Sequence, residues 1–77
     1  MGREYKIKFV VPVPYEPVRL VRRLPRQAPS EIYDYAVEPD GFYFLDYLVD
    51  RGVAAIALQI LLDEALSLSD SVEVIEP

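Results

Sequence analysis

The feature that constrains this chain most is an almost unbroken apolar stretch from Val53 to Leu68. Only four of its residues are polar: Gln59, Asp63, Glu64 and Ser67. This stretch predicts a long helix, and Asp50 is suited to cap its N-terminus because its carboxylate can accept a backbone N–H hydrogen bond. The alternative is a break at Gly52, with one helix over Phe42–Arg51 and a second helix after it.

At helical spacing the apolar residues fall into two stripes, whereas an ordinary surface helix has one. The first stripe is Val53, Ile56, Ala57, Ile60 and Leu61. We expect a second copy of the chain to cover the other stripe, which predicts a homodimer; the N-terminal strands or another protein are the alternative covers. The residues of this predicted interface are Ala54, Leu58, Leu62, Ala65 and Leu66. The adjacent acids Asp63 and Glu64 are expected on the solvated edge of the helix.

A β-hairpin is predicted just before the helix, around Pro39-Asp40-Gly41. Proline followed by aspartate and glycine between two β-prone runs is typical of a tight turn. A three-residue loop with a glycine bulge would pair Val37 with Tyr43. Both faces of such a hairpin would be largely apolar, so we expect it to be central in its sheet or covered on both sides.

The same register would place Asp34 directly opposite Asp46, although like charges in that position repel. One interpretation is a carboxylate pair for a metal ion or for acid–base chemistry. The other is that arginines neutralise the pair or that the second strand ends before Asp46. We favour the second interpretation, because the pair lacks the further ligands that a metal site needs.

The rest of the chain predicts short strands. Arg3 to Val13 alternates apolar and polar residues, which indicates a strand with one wet face toward an edge of the sheet. Val18 to Leu24 alternates again, and Val72 to Ile75 reads as a closing strand. We therefore predict a single α+β domain over residues 1–77. It would have a mainly antiparallel sheet of four to five short strands with one long helix packed on it, in the order β-β-β-β-α-β.

Composition excludes several chemistries. The chain has no cysteine and no histidine, so thiolate and imidazole ligands are absent, as are Ser-His-Asp and Cys-His catalysis. We expect no enzyme, no cofactor and no metal site. The helix is also a poor membrane span, because Asp63 and Glu64 interrupt a run that is shorter than the roughly 20 residues required. With no apolar leader at its N-terminus, the protein is expected to be cytoplasmic.

The net charge of −5 hides an asymmetry. Residues 1–30 carry seven basic side chains against two acidic ones, and residues 31–77 carry eleven acidic side chains against Arg51 alone. We expect a non-catalytic protein–protein interaction module or accessory subunit, homo-oligomeric, with its acidic face toward a basic partner. The alternative is a small nucleic-acid-binding regulator, in which anions would contact a basic segment flanked by tyrosines, namely Arg19, Arg22, Arg23 and Arg26.

Overall fold

The protein is an α+β fold built on one four-stranded antiparallel sheet. The computed structural model describes residues 2–26 and 32–77. The elements follow the chain as β1 (Arg3–Lys8), α1 (Val18–Arg23), β2 (Tyr33–Glu38), β3 (Gly41–Asp46), α2 (Arg51–Leu68) and β4 (Glu73–Ile75). The strands lie side by side in the order β2-β3-β1-β4. The predicted fold class is confirmed, with four strands and one long helix.

Two predictions for the N-terminal third are wrong. The segment from Val18 is helix α1 and not a strand: Leu20 and the C-cap residue Leu24, one helical turn apart, are buried, while Val18 and Val21 are exposed. Strand β1 is not at an edge but lies between β3 and β4. Its alternating pattern arises because one face of the whole sheet is open to solvent, which leaves the same signature as an edge strand.

The hairpin turn lies where it was predicted, but its register differs by one residue. Glu38 pairs with Gly41, and Tyr35 pairs with Phe44, so only Pro39 and Asp40 form the loop. Gly41 has φ +144, outside the left-handed helical region that a glycine bulge requires. Because a one-residue slip moves every side chain of a strand to the opposite face, the observed register places Tyr33 and Tyr35 on the core side together with Phe42 and Phe44, and Tyr43 on the open face.

This register also corrects the predicted surroundings of the hairpin. Strand β3 is interior, but β2 is an edge strand. On the core side, Phe42 and Phe44 are buried, and the Tyr33 ring stacks on Phe44 with a centroid separation of 5.7 Å. No described helix or strand packs on the other side of the sheet, so the hairpin is covered on one face only.

Helix α2 begins and ends close to its predicted bounds. The Asp50 carboxylate accepts a hydrogen bond from the Val53 N–H at 3.1 Å, which confirms the predicted cap. Gly52 lies inside the first turn, so the helix does not break there. In the part of the chain that the structure describes, no helix has the length and apolarity to cross a membrane.

The two predicted stripes on α2 are divided differently in the structure. The fully buried apolar residues of α2 are Ala54, Ala57, Leu61 and Ala65, two from each stripe. They form one stripe centred on the boundary between the two predicted ones, where three alanines let the helix approach the aromatic side of the sheet closely. Ala54 and Ala65 are therefore covered within a single chain, and assigning them to an exposed dimer interface was wrong.

Candidate functional site

The contact between α1 and α2 is built around a buried carboxylate. The Glu64 side chain is only 2% exposed. The Tyr15 hydroxyl donates to its Oε2 at 2.8 Å, and Arg19 Nε donates to its Oε1 at 3.1 Å. Arg23 Nη1 lies 4.0 Å from the same oxygen. Both oxygens of the buried carboxylate are thus satisfied, as a buried charge requires.

The predicted solvated edge of α2 is correct for Asp63 and wrong for Glu64. Asp63 is exposed and forms an ion pair with Arg23 Nη2 at 3.3 Å. Glu64 follows Ala57 by seven residues and Leu61 by three, which is the spacing of the buried stripe. This spacing was the signal in the sequence that Glu64 would be buried. Burial, followed by the hydrogen bond to Glu64, raises the pKa of Tyr15. These contacts fasten α1 to α2.

The four arginines of the predicted basic segment therefore divide into two pairs. Arg19 and Arg23 are held by carboxylates of α2. Arg22 and Arg26 have no ion-pair or hydrogen-bond partner among residues 2–26 and 32–77. Both line a groove of about 480 Å³ between α1 and β2. The remaining lining residues are Val21, Leu24, Pro25, Tyr33 and Tyr35.

The tyrosines of this groove, which we call the arginine groove, are fixed to the fold. The Tyr33 hydroxyl donates to the Pro25 carbonyl at 2.7 Å and so ties β2 to the segment that follows α1. Burial, followed by the proximity of Tyr35, raises the pKa of Tyr33. Tyr35 is half-buried and forms part of the wall. The groove thus combines a basic rim with an apolar and aromatic lining.

The open face of the sheet carries a second group of charges. Lys6 donates to Glu38, and to Asp40 at 2.7 Å. Burial acts to lower the pKa of Lys6, but the hydrogen bonds to Asp40 and Glu38 outweigh it and raise that pKa. The hydrogen bond from Lys6, in turn, lowers the pKa of Asp40. The Tyr43 hydroxyl donates to Glu4 at 2.5 Å, a bond that raises the pKa of Tyr43 to about 12.

The predicted Asp34–Asp46 pair does not form. Asp34 is opposite Leu45 and Asp46 is opposite Tyr33, because the register is shifted by one residue. Each carboxylate instead accepts a local backbone N–H at 2.8 Å, from Tyr35 and Leu48 respectively. Among the described residues, no group of three acidic side chains could hold a metal ion.

The remaining residues of the predicted dimer interface lie along one flank of α2. Leu58 and Leu62 are half-buried, and Leu66 is 56% exposed. Leu58 also lines a second groove, of about 730 Å³, between the N-terminal part of α2 and the sheet. Its rim includes Arg3 and Arg51. An apolar flank is therefore present, with Leu58, Leu62 and Leu66 in place of the full predicted set.

No protein-family model, no curated protein and no solved structure shows a significant match to this chain.

Proposed function

We propose that this protein is a non-catalytic protein-interaction module that binds a basic partner through the open face of its sheet. The observation that carries the proposal is the chemistry of that face. It presents carboxylates around a partly apolar centre, and no described helix covers it. Interfaces commonly have this arrangement, an apolar centre inside a polar rim.

The register of the strands determines which side chains the open face presents. Residues that alternate with the core-facing ones point to it. Its centre consists of Ala36, Tyr43 and Leu45, and Lys6 and Lys8 are its basic residues. The carboxylates on it or at its rim are Glu4, Asp34, Glu38, Asp40 and Glu73. With Lys6 already paired to Glu38 and Asp40, the field of this face is acidic and favours a cationic partner.

Self-association is the second part of the proposal. Leu58, Leu62 and Leu66 succeed one another at four-residue spacing on the flank of α2, and exposed Ala55 lies beside them. A second copy of the same helix would cover this flank, and Ala55 would allow close approach. Because α2 packs on the opposite side of the sheet, such a dimer would leave both open faces accessible.

The arrangement of the titratable groups supports a non-catalytic role. The pKa shifts of Lys6, Asp40 and Tyr43 arise from pairs on the open sheet face, that of Tyr15 arises at the contact between α1 and α2, and that of Tyr33 arises in the arginine groove. Each shifted group is engaged in a hydrogen bond, and these groups do not converge on one cavity. Catalytic acids and bases are recognised by such convergence.

A fluorescence-polarisation titration with labelled oligolysine tests the proposed face. Asp34→Lys with Glu73→Lys reverses two charges on the open face, and we expect the Kd to rise about tenfold or more. The matched control is Glu16→Lys with Asp70→Lys, which changes the net charge equally at exposed positions beside α1 and after α2 and should shift the Kd much less. Equal effects of the two double variants would mean that oligolysine senses only net charge, and the proposal would be wrong.

A further inference from the structure

We propose that the arginine groove binds an extended peptide with acidic side chains at alternate positions, which adds to β2 as a fifth strand. This site lies at the edge of β2, and the ligand side chains that enter the groove are acidic, whereas the open sheet face takes a basic partner. It goes beyond the proposed function and does not depend on it.

The charges of the groove are the first argument. In the same short segment, Arg19 and Arg23 have carboxylate partners on α2, whereas Arg22 and Arg26 have none among the described residues. Arg22 and Arg26 line the same groove. Guanidinium groups bind carboxylates with directional, paired hydrogen bonds. Two such groups on one rim are complementary to two carboxylates of a ligand.

The edge of β2 that faces away from β3 is the second argument. In an antiparallel pair, hydrogen-bonded residues alternate with residues whose backbone groups point away. Ile32 accepts from the Tyr47 N–H, so the even-numbered residues of β2 face β3. Tyr35 and Val37 therefore point outward. The Tyr35 N–H donates to the Asp34 carboxylate, whereas the Tyr35 carbonyl and both backbone groups of Val37 have no partner among residues 2–26 and 32–77 and can bind an added strand.

The surroundings on the two faces of an added strand determine which ligand side chains are favoured. Successive side chains of a strand point to opposite faces of the sheet. Those on the helical side would enter the groove, where Arg22 and Arg26 favour carboxylates. Those on the other side would lie beside Asp34 and Glu38 on the open face, which favours basic side chains. The site therefore selects a pattern in which glutamate and lysine alternate.

This pattern distinguishes a peptide from a nucleic acid. A single strand of nucleic acid needs a continuous basic track along its phosphates. Here the two arginines are followed along β2 by the acidic residues Asp34 and Glu38, and the net charge of the chain is −5. A peptide with alternating charges is complementary both to the arginines of the groove and to the carboxylates of the open face, whereas a polyanion is complementary only to the arginines. The observations thus favour the peptide.

The test compares two blocked peptides of identical composition by isothermal titration. In one, Glu and Lys alternate; in the other, all Glu precede all Lys. We expect the alternating peptide to bind about tenfold more tightly than the block peptide. N-methylation at its strand-facing amides should abolish this preference, because those N–H groups would no longer bind β2. Equal affinity of the two peptides, or no effect of N-methylation, would overturn strand addition.

Protein variants locate the binding. Arg22→Gln with Arg26→Gln should weaken the alternating peptide about tenfold, whereas Arg3→Gln with Arg51→Gln, at the groove beside α2, should leave its affinity unchanged. Equal effects would refute the site. A single-stranded oligonucleotide that displaces the peptide at lower concentration would assign the arginine groove to nucleic acid and overturn the proposal. The proposed oligolysine site does not include Arg22 or Arg26, so failure of either proposal is seen separately.

Discussion

Removing Arg19 should destabilise the protein more than removing its partner Glu64, although both changes break the same ion pair. The difference follows from exposure. The Glu64 side chain is 2% exposed, whereas those of Arg19 and Arg23 are 63% and 40% exposed. Loss of the Glu64 carboxylate leaves arginines that water can hydrate. Loss of Arg19 instead leaves a buried carboxylate with fewer hydrogen bonds and less positive charge beside it.

The magnitudes follow from the remaining contacts. Removing one partner of a buried ion pair costs about 3–5 kcal/mol, and we place Arg19→Met near the lower end because Tyr15 and Arg23 still face the carboxylate. Glu64→Gln keeps the volume and loses charge-assisted hydrogen bonds, for about 1.5 kcal/mol. The gap of about 1.5 kcal/mol corresponds to roughly 6–12 °C in Tm for a domain of this size. The double variant should be more stable than Arg19→Met alone, because it contains no buried charge.

Urea and thermal unfolding of the three variants measure these differences. Arg22→Met is the matched control: it makes the same substitution in the same helix at an arginine with no described partner, and it should change the free energy of unfolding by less than about 0.5 kcal/mol. The reasoning is refuted if Glu64→Gln costs more than Arg19→Met, or if the double variant loses the sum of the two single effects.

Three further predictions concern the sheet and the dimer. Ultraviolet titration should show Tyr43 ionising with a pKa of about 12, and Glu4→Gln should return this pKa toward the ordinary value of ~10. Because the pKa of Tyr43 is raised in the folded state, the contribution of this hydrogen bond to stability is complete below pH ~10 and is lost as the pH rises through about 12. Gly41→Ala should lower the free energy of unfolding by about 3 kcal/mol or more, measured by urea unfolding, because a Cβ there would meet a β1 carbonyl oxygen at 2.0 Å and φ is +144; an unchanged midpoint would contradict this. Sedimentation equilibrium should show a dimer that Leu66→Asp dissociates without unfolding, while Ile56→Asp, equally exposed on the opposite flank, leaves it intact; a monomeric wild type would contradict the dimer.

Features that depend on local chemistry were the ones that could be predicted from the sequence. The Asp50 cap, the long helix and the position of the turn were predicted because each depends on a few neighbouring residues. The register depends instead on which rings the helix covers. Pro39-Asp40-Gly41 suits more than one loop length, so the sequence left the register open to an error of one residue, which displaced Asp34 and Asp46.

Tertiary contacts account for the other errors. A segment as short as α1 shows too few residues to separate helical from alternating periodicity, and only the buried pair of Leu20 and Leu24 reveals the helix. The spacing of Glu64 from Ala57 and Leu61 places it on the buried stripe, but without α1 the sequence shows no partners that could satisfy a buried carboxylate there. The four arginines could be recognised as a basic segment, but which of them have partners among the described residues depends on where α2 presents its carboxylates.

Amide chemical-shift mapping measures binding at the open sheet face most directly. Oligolysine is titrated into ¹⁵N-labelled protein, and the perturbed amides are assigned to the structure. Binding at the open face predicts that the largest shifts cluster around Ala36, Tyr43, Leu45 and Glu73, with small changes at Ile56 and Asp63 on the exposed side of α2. Shifts centred on α2, or spread over every acidic residue of the chain, would contradict a basic partner at the open face.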